Sequence, residues 1–377
     1  MGKQTYRRLN GGQNFRQRLL LSTLSSIPIL IDDINSDSVT PGLQPHQISL
    51  LHLLERICDD CHVSINETGT KLKYKPGIVV GGRNHVHDCG VSRSIGYFLE
   101  PLIVLALFGK KPLTITLRGI TNDSMDPSVD TFRSTTLPLF KRFGVPLEGL
   151  ELKIVNRGAP PNGGGEVILS VPIVQKLTAT TWIDEGMVKR IRGVSFSTRV
   201  HVEFEKGMIN AARGIFNHLL PDVHIYTDHK TGPGAGLSRG YGISLVAETT
   251  SGCCISADTA VSYAREAIDG MEDEEKNELT PPGDVGVQIA SALLEEIGQG
   301  GVVDSTHQGL LFLLCALCEP DVSKVRVGKL SPHGIETLRC IKDLLGITFV
   351  IKPDPSSGTV ILKCVGCGMK NLSRKSS

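Results

Sequence analysis

Ser331-Pro332-His333 has the residue types and spacing for phosphate chemistry. Ser331 supplies an N-cap oxygen and Pro332 fits the first helical position, so a helix is predicted over 332–345. His333 would stand in its first turn. Unpaired backbone N–H groups there favour a phosphate and disfavour imidazolium, which leaves the ring neutral and nucleophilic. Arg339 and Lys342 follow one turn apart on the same helix. With His333 they could stabilise a phosphorane-like state during RNA cleavage without a metal; a solvated helix face is the plainer reading of the two cations. His307 and Gln308, in the stretch DSTHQGLL, open an apolar helix and could contact a nucleotide, although capping by Asp304 or Ser305 accounts for part of that motif. NGGQ (10–13), ending in Gln13, directly precedes a helix, a geometry that suits an anion, although turns alone would explain its glycines.

These candidates must be positioned by alternating helices and strands. Helices are expected over 14–25, 46–60, 126–144, 284–298 and 305–318, with another in VSRSIGYFLEPLIVLALFG. Strands are expected at 28–34, 63–68, 70–77, 112–119, 150–158 and 165–173, and in KVRVGKL, ITFVIKPD and GTVILKCVG. The order helix, strand, helix, strand, strand occurs three times, an internal repeat in pattern and not in identity. Residues from about 188 to 282 break the pattern and read as a smaller α/β insert ending in the acidic run MEDEEKNELTPPG (271–283), an expected exposed linker. Two further glycine-rich stretches, PPNGGGEV (160–167) and TGPGAGLSRGYG (231–242), read as a hairpin turn and as a loop able to touch a partner.

Composition narrows the classes. The chain has 377 residues, room for two or three domains. Lys and Arg number 40 against 39 Asp and Glu, so whole-molecule attraction to nucleic acid is absent and any such site is a local patch. Basic clusters at Arg7, Arg8, Arg16 and Arg18, at 188–193 and at 372–375 read singly as solvated faces and together permit RNA binding. No apolar run follows the basic N-terminal residues, so no leader is expected, and the apolar stretch 94–109 is short for a membrane span. A soluble intracellular protein is expected, with no membrane partner. Three C-x-x-C pairs, Cys58/Cys61, Cys315/Cys318 and Cys364/Cys367, could suggest zinc. The second lies in an all-apolar helix, and strand alternation in the third should keep its thiols apart. Buried structural thiols are expected, and no metal.

Together these residues resemble the RNA 3′-terminal phosphate cyclase family over nearly the whole chain. LNGGQNFR (9–16) is similar to the family's G-E-G-G-G-Q-x-x-R. PGL (41–43), KPG (75–77) with Gly81-Gly82, RGITN (118–122) and the stretch 157–167 follow in order. RGITNDSMDPSVD, the HDCG at 87–90 and YTDHKTG are closer to the eukaryotic, nucleolar cyclase-like branch than to true cyclases. The resemblance implies an α/β architecture of the EPSP-synthase-like type. Three βαβαββ repeats would form a main domain, 1–187 plus 283–377, with the insert domain at 188–282.

In true cyclases a histidine near the C-terminus attacks ATP, and AMP passes from it to the RNA 3′-phosphate. His333 falls at or near that position. Gln13, Arg16 and Gln308 match the family pattern. Leu9 stands where the family has an acid, His307 where it has an Asp, and Asn35, Ser38 and Thr40 where it has basic residues. Without a cationic clamp the charge on the phosphates is not offset, so cyclase activity is not expected and no cofactor is implied. The resemblance implies instead a ribosome biogenesis factor for the small (40S) subunit. It would act in early pre-rRNA processing toward 18S rRNA in the nucleolus of the nucleus, within the small-subunit processome, bound to pre-rRNA and to a ribosome-assembly GTPase. The alternatives are a pre-rRNA endonuclease using His333, Arg339 and Lys342, and an active ATP-dependent cyclase.

Overall fold

A computed structural model describes residues 6–262 and 280–371; the acidic run expected as a linker lies mostly outside them. The first unit runs β1 (Arg7–Asn10), α1 (Phe15–Ser25), β2 (Ile29–Asp32), α2 (Pro45–Ile57), β3 (Cys58–Asp59), β4 (His62–Ile65), β5 (Leu72–Lys75) and β6 (Ile78–Val79). Its sheet has the order β1-β2-β5-β4, with β1 and β2 parallel and the rest antiparallel; β3 and β6 form a separate ribbon. The second unit is β7 (Gly82–Asp88), α3 (Ile95–Leu107), β8 (Leu113–Gly119), α4 (Val129–Thr131), a π-turn (Phe132–Thr136), α5 (Leu137–Lys141), β9 (Glu151–Asn156) and β10 (Gly165–Val171). Its sheet order, β7-β8-β10-β9, repeats the first. The single helix expected over 126–144 is present over 129–141 but carries a π-turn in its middle. Pro138 has no N–H to donate, and the ladder widens to a π-turn just ahead of it.

The third unit opens at β11 (Thr181–Trp182) and is then interrupted by β12 (Val188–Thr198), α6 (Glu203–Phe216), β13 (Val223–Lys230), β14 (Gly240–Thr249), β15 (Cys254–Ser262) and α7 (Pro282–Gln299). It resumes as α8 (Gln308–Leu317), β16 (Val322–Val327), α9 (Pro332–Leu345), β17 (Val350–Asp354) and β18 (Thr359–Val365), with sheet order β11-β16-β18-β17. The leading strands β1, β7 and β11 carry no clear alternation of apolar residues and were not expected from pattern. Each is placed by its parallel partner.

Helices α3 and α8 are apolar all round and buried on every side, so they occupy the interior. The three sheets wall this interior with alternating strands such as β8 and β10, one face packed and one facing outward. A second core lies in the insert, where β12, β14 and α6 enclose Ile191, Met208, Phe216, Tyr241 and Leu245. Val285, Ile289, Ala290 and Leu293 of α7 belong to that core as well. Packing therefore puts α7 with the insert, beyond the division expected at 282/283. The reason is tertiary: the apolar stripe of α7 lies along α6, β14 and β15.

The two cores are joined through Arg157, whose side chain is fully buried. It donates to Asp130 of α4 at 2.9 Å and to Asp228 of β13 at 2.9 Å, and lies over the Phe196 ring. The glycine-rich stretches 157–165 and 231–240 interlock beside it. Leu237 N–H donates to Gly163 O at 2.9 Å, and Asn162 N–H to Ser238 Oγ at 3.0 Å. Gly236 has φ +61 and passes so close that a Cβ would lie 2.5 Å from Arg157 O. The loop expected to touch a partner thus packs against this chain itself.

Candidate functional site

The candidates come together where α1, α3, α8 and α9 meet. Ser331 caps α9 by accepting from Gly334 N–H at 3.1 Å, and Pro332 is its first residue, so the local expectation for this helix holds to the residue. Gln308 positions the approach. Its Oε1 accepts from Ser331 N–H at 2.8 Å and its Nε2 donates to Lys329 O at 2.9 Å. Gln308 is therefore committed to holding the turn before α9.

His333 points inward. Gln17 Nε2 lies 3.4 Å from His333 Nε2, and an amide N–H donating there requires that ring nitrogen to be unprotonated. Gly309 of α8 passes close enough that a Cβ would sit 2.9 Å from the same nitrogen. Burial lowers the pKa of His333, with Arg16 adding to the effect and Glu100 opposing it. The ring is therefore neutral, as its helix-start position suggested. Its Nε2 lone pair, however, faces Gln17 and the α8 backbone. Gln17 was not anticipated from sequence; a glutamine between Arg16 and Arg18 in the first turn of α1 carries no signal, and only the packing of α1 on α9 reveals its role.

Arg16, the cation nearest this ring, is committed elsewhere. It donates to Tyr97 O at 3.1 Å, lies 3.5 Å from Glu100 Oε2 and stacks over the Tyr97 ring. Gln13 is exposed, with Oε1 folded back toward Gly11. The Gly11-Gly12 loop does not present an open cradle. Arg18 donates to Asn10 O and Gly11 O, and Asn35 packs against Gly12, where a Cβ would meet its Oδ1 at 2.6 Å. Asn14, in the left-handed region at φ 53, donates to Glu336 Oε2 at 2.9 Å and ties the loop to α9.

His307 is built differently. It precedes α8 and is buried, with Nδ1 2.7 Å from Asp304 Oδ1 and Nε2 2.8 Å from Thr136 Oγ1. Asp304 also accepts from Ser256 N–H and Ser256 Oγ–H at 2.8 Å each, and from His307 N–H at 3.0 Å. Burial opposes charge on both groups, yet the pair holds His307 above and Asp304 below their ordinary values. The pair fastens the second repeat, the insert and the third repeat at one point, and its geometry answers a structural need.

Arg339 and Lys342 are not brought to His333. At 100° per residue they lie about 120° and 180° around α9 from it. Both are exposed, and Arg339 pairs with Glu336 on its own helix. The three residues therefore do not form one site: six and nine residues are not multiples of the helical repeat that would align them with residue 333.

None of the ten cysteines is in a disulfide. The two C-terminal C-x-x-C stretches lie against each other. Cys367 N–H donates to Ala316 O and Gly368 N–H to Cys318 O, each at 2.8 Å, so the segment after β18 docks on α8. Burial pushes Cys318 and Cys364 up to about 12. Among the described residues no group of three or more His, Cys, Asp or Glu side chains is arranged to hold a metal, and no helix is long and apolar enough to cross a membrane.

Three βαβαββ units with an insert in the third, and a histidine in the first turn of the last helix, are the features of one class. The family model for RNA 3′-terminal phosphate cyclase matches residues 7–351, and the chain belongs to that family. Within it, the chain is 66% identical to the "Probable RNA 3'-terminal phosphate cyclase-like protein" of Arabidopsis thaliana, across 98% of this chain and 99% of that one. It is 45% identical to the "RNA 3'-terminal phosphate cyclase-like protein" of Homo sapiens, across 99% of each. It is also 40% identical to the "rRNA processing protein rcl1" of Schizosaccharomyces pombe, across 98% of each.

Proposed function

We propose that this chain is an rRNA-processing factor without cyclase activity. It would act in the nucleolus on early precursors of 18S rRNA of the small subunit, within the small-subunit processome and in company with a ribosome-assembly GTPase. Near-identity of length with a relative named for rRNA processing supports the process. The observation that carries the non-cyclase part is the setting of His333: its Nε2 faces Gln17, and Arg16, the cation acting on it, is held by Glu100. An attack on ATP needs a free lone pair and cations over the phosphates. Here the chain's own side chains take both places. The separation of Arg339 and Lys342 from His333 removes the support for cleavage by those three.

Two experiments test the reading. Purified chain incubated with ATP labelled at the α-phosphate should yield no covalent adduct stable to denaturation; an adduct lost in His333→Ala would overturn the non-cyclase part. Depletion in cells should cause 18S precursors to accumulate, with the protein in nucleoli and a GTPase in its pull-down. Normal 18S maturation after depletion would refute the process. We also propose that the two cores are separate domains, with α7 in the insert.

A further inference from the structure

The threefold repeat sets up an internal control, because each sheet turns an equivalent face outward. On the second sheet that face carries, among the described residues, one lysine without an ion pair, Lys153 of β9, and it stands opposite Ile168. Thr114 and Thr116 of β8 stand opposite Ser170 and Ile168, and Arg118 is paired with Glu166 at 2.8 Å. On the first sheet Lys71 is paired with Asp32 at 2.8 Å and Lys75 with Asp60 at 3.0 Å; Lys73 between them has no ion pair among the described residues, but stands opposite Leu30 and Ser64 and not another cation. The third sheet differs. Lys324 of β16 stands directly opposite Lys363 of β18, and Lys352 of β17 lies opposite Ile361 on the same face. Among the described residues none of these three lysines has a carboxylate within ion-pair distance. Arg326, their neighbour, already has Asp354 at 3.1 Å.

Like charges directly opposite across an antiparallel pair destabilise a sheet. The fold does not require this pair: the equivalent register in the second sheet carries Thr116 and Ile168. Nor does the face belong to the inherited cleft. Val325, Val327 and Leu362 point inward to the core that α9 joins through Ile341 and Leu344, while the lysines project from the other side of the sheet. Their neighbours on this face include Thr181, Ile361 and Val350, and among the described residues of the face no aromatic ring offers a base a place to stack. The face therefore suits phosphates in a rigid backbone better than splayed bases.

We propose that the outer face of the third sheet, through Lys324, Lys352 and Lys363, binds the phosphate backbone of double-stranded RNA without reading its sequence. The choice of RNA over another polyanion rests on the rRNA-processing reading; the charge array itself does not.

The test measures binding of the full chain to a fluorescent RNA duplex of about 20 base pairs across a salt series. The triple change Lys324→Gln, Lys352→Gln and Lys363→Gln should weaken binding roughly tenfold at 0.1 M salt. It should also lower the slope of log affinity against log salt by about two to three. Lys153→Gln, on the outer face of the second sheet, should leave both unchanged. Because like-charge repulsion is relieved, the triple variant should melt no lower than the wild type, so lost binding cannot be lost folding. Equal affinity and slope in wild type and triple variant would overturn the proposal, as would an equal loss in Lys153→Gln. So would a wild-type chain that ignores RNA but binds poly-glutamate through these lysines, which would assign the face to an acidic protein. The two readings fail separately. Intact 18S maturation on depletion, with binding still lost in the triple variant, removes the function and keeps the face. Blocked maturation with unchanged binding does the reverse.

Discussion

His307 and His333 both stand at helix starts in the third repeat, inside the same packed region, yet the pKa of the first is raised and that of the second lowered. The helix end alone would depress both. The difference lies in what each ring meets. His307 meets a buried carboxylate 2.7 Å away, and Asp304 is itself satisfied by Ser256 and the His307 backbone. His333 meets an amide and a glycine backbone, with its nearest acid, Glu100, shared with Arg16. A helix N-terminus therefore biases a histidine only weakly; a desolvated partner decides its charge. His307 and Asp304 together join three parts of the chain, through Thr136, Ser256 and α8.

The largest expected effect comes from breaking that pair. Asp304→Ala strips buried His307 of its carboxylate partner and leaves the Ser256 and His307 donors unsatisfied, and should cost about 3–5 kcal/mol in urea unfolding. Arg157→Ala, which strands Asp130 and Asp228, should cost a similar amount, about 3–5 kcal/mol, and loosen the insert, seen as faster amide exchange in β13. If Asp304→Ala is as mild as His333→Ala, the contrast between the two rings is wrong. His333→Ala removes a half-buried ring without stranding a charge and should cost about 1–2 kcal/mol.

The pH dependence sharpens the same contrast. The folded pKa of His307 is raised, so its stabilisation is complete below the ordinary value near 6.5 and is lost as pH rises through the folded value. Asp304 is lowered, so its share is present above about 4 and is lost as pH falls through its folded value. His333 is lowered, so it costs stability as pH falls below about 6.5, where the unfolded chain takes up the proton first. Imidazole NMR titration should place the two rings on opposite sides of 6.5; both on one side would break the comparison. The smallest effect is expected from Arg339→Ala and Lys342→Ala, each within about 0.5 kcal/mol, because both cations are solvated.

Much of the fold was legible because its signals are local. Ser331, Pro332 and Gly346 bound α9 at its capping positions, and the alternation in GEVILSV and VHIYTDHK marks β10 and β13. The threefold order followed from those elements. The leading strands β1 and β11 were not legible, being two to four residues long and stabilised by a distant partner. Nor was the allegiance of α7, whose amphipathic stripe fits either neighbour. For the candidate site, His333 and the cap were readable, whereas Gln17, Glu100 and the fixing of Arg16 were not. The contacts of Gln17 and Arg16 span 316 and 84 residues of sequence.

By itself the sequence determined the element order, the capped helix that begins at Ser331, the near-balanced charge and the family features that the cyclase model matches over residues 7–351. These depend on caps, periodicity and residue type within a few positions. Only the tertiary structure decided that His333 is shifted toward its neutral form and faces Gln17, that His307 is shifted the other way beside Asp304, that Arg339 and Lys342 stand apart from both, and that two lysines oppose each other on an outer sheet face. Charge state and access depend on desolvation and on partners within a few ångströms, and chain folding brings those partners from hundreds of residues away.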